Sequence, residues 1–349
     1  MKESQRSRHS QLLLGLLVSV AVVLGLAIAY RLLWRKGTHP LVVYCAHDSV
    51  YAEGILQEFS RRTGISLATK FDTEATKSLG LVELLKRESS QPRCDVFWNN
   101  ELLGTLDLQD GGLLLPYRGP GFGRIPAQFR DPQGCWVGFA ARLRVYIINT
   151  DKLKPDDGAL QEALAGDLSR AAIAKPLYGT TLTHYSILWD LWGEETLKGW
   201  HRQCRERGLR EVMGNAQVKN LVAEGVCDLG FTDSDDFFQA KDEGKPVASL
   251  PVRLPNGSTI CIPNTVCIMK GTHRLKESQE LVDYLLSEEC ELALANSSSR
   301  QIPLGPVPEG RLSAEVKTLR EWSKASIPLS FLGPARAACL AWLKEEYLK

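Results

Sequence analysis

Residues 41–61 read LVVYCAHDSVYAEGILQEFSR. The unbroken apolar run from Leu41 to Cys45 marks a strand buried on both faces, since a half-exposed strand would alternate. The run stops on His47 and Asp48. Ala52, Ile55, Leu56 and Phe59 then fall at helical spacing, so residues 49–61 read as an amphipathic helix. Asp48 or Ser49 would cap it and Gly64 would end it. The pattern repeats. Ile65–Ala68 reads as a second strand, residues 78–88 as a second helix, and Asp95–Trp98 as a third strand. Strands alternating with helices through short connections predict a parallel α/β sheet.

Further along, residues 136–149 (WVGFAARLRVYIIN) form a long β-rich stretch that fits a strand crossing between two lobes. Residues 171–174, 182–192, 196–207, 217–224 and 227–231 repeat strand and helix, and residues 265–269 read as a strand returning to the first lobe. Residues 278–295 predict one helix, and the tail 311–349 is helical. The expected organisation is an N-terminal segment 1–36, a first lobe of 37–138 plus 262–310, a second lobe of 139–261, and a C-terminal helical segment packed on both.

Ligands of open α/β sheets bind beyond the carboxyl ends of the strands. In this chain those ends are all polar: His47-Asp48, Asp72-Thr73-Glu74, Asn99-Asn100-Glu101, Gly179-Thr180-Thr181 and Asp233-Ser234-Asp235-Asp236. They predict a shared cleft.

The 349 residues suffice for two domains, with 44% apolar and 24% charged residues, an ordinary globular composition. A formal net charge of +1 gives no reason to expect a nucleic-acid partner. From Gln11 to Tyr30 no residue is charged, while Lys2, Arg6 and Arg8 precede the run and Arg31, Arg35 and Lys36 follow it. Such a run is long enough to cross a bilayer core of about 30 Å. It predicts a transmembrane anchor, with a cleaved signal peptide as the alternative because Ala27-Ile28-Ala29 offers a cleavage site. Either way residues 37–349 are exported, to the periplasm or another extracytoplasmic space, with tethering to the inner membrane expected from the anchor. The nine cysteines contain no C-x-x-C pair, which argues against a zinc ribbon or redox motif. Their odd number leaves at least one unpaired, and several sit in apolar strands as small hydrophobes.

At the strand ends, His47 and Asp48 are metal-ligand types, with capping as the plain alternative. Asn100 and Glu101 have the same two readings. The carboxylates of Asp233, Asp235 and Asp236 repel one another unless a cation or several donors neutralise them. Gly179, Thr180 and Thr181 ahead of a helix suit an oxyanion, as does the helix start near Asn215. Arg142 and Arg144 alternate on one strand, so they share a face and can grip a carboxylate or phosphate. No nucleophile-elbow, metalloprotease or phosphate-loop pattern is present, so an enzyme is not expected.

These stretches also carry a family resemblance. VVYCAHDSVYAE, FDTEATKSLGL, CDVFWNNE, GFAARLRV, GTTLTH, MGNAQV, GFTDSDD and IPNTV, in order between about residues 40 and 305, resemble the iron(III)-type solute-binding proteins of ABC importers. The resemblance implies a two-lobed type II periplasmic-binding fold with a hinge, an importer permease as partner, and a metal cation as cargo. Fe(III) comes first, with a synergistic anion beside it. It implies that His47 and Asn100 or Glu101 supply ligands from the first lobe, and that Arg142, Thr180, Thr181 and Asn215 hold the anion. One departure stands out: the family places adjacent tyrosines where this chain has Asp235-Asp236-Phe237-Phe238. Carboxylates are hard oxygen ligands, so a cation still fits, but Mn(II), Fe(II), Zn(II) and Ca(II) open as alternatives. So does a small organic or phosphonate-like anion anchored on Arg142 and the Thr180-Thr181 pair.

Overall fold

The computed structural model describes residues 39–72 and 79–348. The expected N-terminal helix lies outside these residues, as do Thr73 and Glu74. Among the described residues no helix is long and apolar enough to cross a membrane.

The opening stretch folds as its pattern requires. Strand β1 (Leu41–Cys45) leads into α1 (Ser49–Thr63), whose Ala52, Ile55, Leu56 and Phe59 are buried. Each of the larger three stabilises the fold by roughly 1.5–3 kcal/mol through area removed from water. Gly64 ends α1 at φ 72°. Then follow β2 (Leu67–Phe71), α2 (Leu79–Arg87), β3 (Val96–Asn99), α3 (Leu103–Asp110) and the short β4 (Leu114–Leu115). Strand β1 is central, pairing in parallel with β2 from Leu41↔Leu67 and with β3 from Val43↔Val96. That register places β2 a few residues later than its local apolar run suggested. As a partly exposed edge strand, it takes its limits from pairing.

The long strand β5 (Val137–Asn149) is buried throughout and belongs to two sheets. Its first half pairs antiparallel with β10 (Cys261–Met269), from Val137↔Val266 to Leu143↔Cys261. Strand β10 continues antiparallel onto β3, closing the first sheet. The second half, Arg144 to Asn149, pairs with β8 (Leu229–Asp233) and β9 (Val247–Pro251). Beyond β8 lie β6 (Ala171–Ala174) and β7 (Arg210–Val212) in parallel. At Leu143–Arg144 the strand passes from the first sheet to the second. Three residues before Leu143, the register opposite β5 slips at Pro263/Asn264, and Ala140 adopts φ 40°. A left-handed conformation is costly for any residue with a Cβ. The surroundings fix it: the Ala140 amide donates to Glu291 Oε1 at 3.1 Å, and its carbonyl accepts from the Asn264 side chain.

The second sheet carries α4 (Asp157–Ala165), α5 (Gly179–Trp192), α6 (Glu194–Glu206), α7 (Asn215–Ala223) and α8 (Ser234–Asp242). After β10 come α9 (Leu275–Leu285) and α10 (Glu288–Ala295). The sequence reads 278–295 as one helix, but Ser287 breaks it by accepting from the Cys290 amide at 3.1 Å and starting a new helix. The tail forms α11 (Ala314–Ser323) and α12 (Gly333–Tyr347). Helix α12 packs on α5 and reaches α3, where Arg336 pairs with Asp107. All nine cysteines are buried thiols. The packing therefore uses them as small apolar side chains.

Candidate ligand-binding cleft

The helix starts decide what faces the cleft. Helices α1, α5, α7 and α8 begin near Ser49, Gly179, Asn215 and Ser234, and residues of all four starts line a cavity of about 250 Å³. Each start contributes unpaired backbone N–H groups and the positive end of a helix dipole. Gly179 is needed for conformation rather than space. Its φ is 52°, and nothing lies within 4 Å of where a Cβ would stand.

Against these donors stands a set of carboxylates. Asp233 ends β8, and Asp235 and Asp236 occupy the first turn of α8. One oxygen from each lies within 4.8 Å of the others. Such crowding is stable only with compensation, and two buried arginines supply part of it. Arg144 Nη1 donates to Asp233 Oδ1 at 2.8 Å. The Asp233 Oδ2 oxygen accepts from Thr180 Oγ1 at 2.6 Å and from Asn215 Nδ2 at 2.9 Å. Arg142 Nε lies 3.6 Å from Asp235 and 3.7 Å from Asp233. Asp236 accepts from Thr232 Oγ1 at 2.8 Å. Burial opposes the Arg142 charge, but Asp235 and Asp233 outweigh it and hold its pKa above the usual arginine value.

Arg142 also joins the two lobes. Its Nη2 donates at 2.9 Å to the carbonyl of Asn100, in the loop after β3. Its Nη1 is buried without a partner, and so is the side-chain oxygen Oδ1 of Asn100. An unused guanidinium N–H on a residue lining the cleft is set for an oxyanion.

Asn100, Arg142, Gly179, Thr180, Thr181, Asn215, Asp233, Asp235 and Asp236 thus all line one cavity. His47 and Glu101 are not part of that lining. Glu101 accepts from the backbone N–H groups of Leu103 and Gly104 at 2.5 and 2.7 Å, so its carboxylate starts α3. A ligand there would have to displace these buried bonds. The His47 ring packs between Tyr51 and Trp98, with Nε2 2.6 Å from Gln301 Nε2.

Two cleft phenols escaped the reading of the sequence. Tyr51 lies in the first turn of α1 and Tyr178 just before α5, and both line the cavity. Burial, then Asp235, Asp236 and Asp48, push the Tyr51 phenol well above its ordinary range. Their position just after strand ends was a usable signal, obscured because neither is adjacent to the acidic cluster. Asp48 and Lys175 complete the charged lining.

Residues 41–296 match the family described as bacterial extracellular solute-binding protein. The chain belongs to this family. Among curated relatives of this solute-binding protein is iron uptake protein A1 of Synechocystis sp., 25% identical over 318 residues, covering 86% of this chain and 84% of that one. Iron-bound HitA from Pseudomonas aeruginosa superimposes with a TM-score of 0.77 at 20% identity, over 88% of this chain and 99% of that one. AfuA from Actinobacillus pleuropneumoniae, with exogenous fructose-6-phosphate bound, gives a TM-score of 0.71 at 19% identity, over 89% and 99%. These likenesses establish the two-lobed fold.

Proposed function

We propose that this solute-binding protein is the receptor of an ABC-type importer and that it captures ferric iron together with an oxyanion between its lobes. The observation that carries the reading is the meeting of three carboxylates within 4.8 Å with the open N–H of Arg142. Asp235 and Asp236, with Tyr51 or Tyr178, offer hard oxygen ligands to the cation. Arg142 and the α5 start, Gly179-Thr180-Thr181, offer donors to the anion. The relative whose name specifies iron uptake supports the choice of cargo. The lobes are assigned as 37–138 plus 262–310 and 139–261, with the tail packed on both; strand β5, shared between two sheets, supports two lobes, with the change of sheet a few residues inside the second range. A ligand touching Asn100 and Tyr51 on one side and Asp235 and Thr180 on the other favours the closed form, which the permease recognises. The chain binds and releases its solute without turnover, and residues 1–36 tether it to the membrane.

A second reading has its own support. Arg142 and Arg144 already neutralise Asp233 and Asp235 in part, which weakens a cation site and favours a phosphorylated organic anion. The fructose-6-phosphate on AfuA is a ligand of that class.

Thermal unfolding of the metal-stripped protein separates the two. Ligand at 100 times its dissociation constant raises stability by about 2.7 kcal/mol. Stabilisation by Fe(III)-citrate, but by neither citrate nor fructose 6-phosphate alone, and lost in Asp236→Ala, establishes the iron reading. Stabilisation by fructose 6-phosphate in excess chelator, lost in Arg142→Ala, replaces it with the second. Membrane fractionation of the chain with and without residues 1–36 tests the tether.

A further inference from the structure

Behind the cleft, in the second lobe, lies a separate cavity of about 230 Å³ that shares no lining residue with the first. Helices α4, α5 and α6 roof it through Leu164, Leu188 and Trp200, and Tyr146 and Phe231 of the sheet form its floor. Tyr146 and Phe231 lie with ring centroids 4.9 Å apart, giving the floor an aromatic character. Apolar cavities of about 150 Å³ already take benzene-sized guests. This one is large enough for a single substituted ring.

Gln161 and Arg253 on the wall are exposed, and one buried wall residue carries an unbonded polar atom. His184, 3% exposed, lines the cavity from α5 with its ring 6.2 Å from that of Phe231. Its Nδ1 is buried without any hydrogen-bond partner. Burial and, second, the charge of Arg144 depress the His184 pKa to about 3, so the ring is neutral at ordinary pH. A buried neutral imidazole nitrogen left unbonded is a cost that a ligand hydroxyl or N–H can remove.

We propose that this rear cavity is a second ligand site, for a small uncharged aromatic molecule carrying one hydroxyl or ring N–H that bonds His184 Nδ1. The aromatic floor sets the shape preference, and the buried, unbonded His184 Nδ1 sets the chemistry. The site is one helical turn from Thr180 and Thr181, whose hydroxyls face the cleft, and Phe231 is two residues from Asp233 on β8. Occupancy of the rear cavity thus acts on the same two elements that hold Asp233.

Saturation-transfer NMR on the whole chain with phenol, indole and toluene tests the site. Phenol and indole should bind saturably, with phenol favoured over the isosteric but hydrogen-bond-free toluene by about tenfold. Leu164→Trp, a half-buried wall position, should fill the cavity and abolish binding of all three while the unfolding midpoint stays close to wild type. His184→Phe should erase the preference for phenol over toluene. Absence of saturable phenol and indole binding, binding that survives Leu164→Trp, or equal affinity for phenol and toluene in the unmodified protein would each overturn the proposal.

Discussion

Arg144 and Asp233 face each other at 2.8 Å across the register of β5 and β8, with side chains 0% and 5% exposed. Asp233 is held by Thr180 and Asn215 as well. Removing one partner of such a pair strands the other charge away from water. Asp233→Ala should therefore destabilise the protein by about 3–5 kcal/mol in urea unfolding. Replacing both, as Arg144→Met with Asp233→Leu, should recover much of that loss. Asp236→Ala removes a half-buried acceptor of Thr232 and should cost less, about 1 kcal/mol. Equal costs for Asp233→Ala and Asp236→Ala would show that burial of the ion pair is not what stabilises this corner.

Glu101 tests the difference between a cap and a metal ligand. Glu101→Ala deprives the Leu103 and Gly104 amides of their acceptor and should destabilise by about 1–2 kcal/mol. Fe(III)-citrate affinity, measured by calorimetry, should change by less than about threefold, or ~0.7 kcal/mol. A large affinity loss with unchanged stability would return Glu101 to the ligand set.

The histidines make stability fall in acid. His184 is depressed to about 3 and His201 is also lowered, each chiefly by burial. A depressed folded pKa means that the unfolded chain binds more protons below its own value of about 6.5, so stability is full above that pH and declines as pH falls towards 3. His184 contributes a slope of up to about 1.4 kcal/mol per pH unit in that window, and His201 acts in the same direction. Urea midpoints between pH 6.5 and 5, above the range of most carboxylates, should decline in the wild type and decline less steeply in His184→Gln. Parallel profiles for the two proteins would sink this assignment.

Ala140 and Ala141 offer a comparison within one strand. Both are fully buried, but only Ala140 has a positive φ. Ala141→Gly should cost about 1–2 kcal/mol through lost burial and added unfolded-state freedom. At Ala140 the relief of left-handed strain, about 1 kcal/mol, offsets most of that cost. Equal losses in urea unfolding would show that this stretch of β5 holds no such strain.

The local chemistry of the chain did not determine α3, α4, β4, β7 or β9, but it did determine the strand–helix alternation around β1–β3 and β6–β8, the polar character of the strand ends at the cleft, and the placing of Arg142 and Arg144 on one face. These follow from period, capping and turn residues, which act over a few positions. The sequence also showed that Asp233, Asp235 and Asp236 crowd together, because they are neighbours along the chain. Tertiary structure alone decided which polar groups remain available to a ligand. Glu101 is spent on the amides of α3 and His47 is packed against Trp98 and Gln301, whereas Tyr51 and Tyr178 come into the cleft and Arg142 keeps an open N–H. The rear cavity was equally hidden, since its walls come from helices and strands between Tyr146 and Pro255. Glu101 is committed by neighbours two and three residues on, the capping alternative the sequence left open; for the others the physical reason is that a side chain's buried partners are set by long-range packing rather than by sequence neighbours.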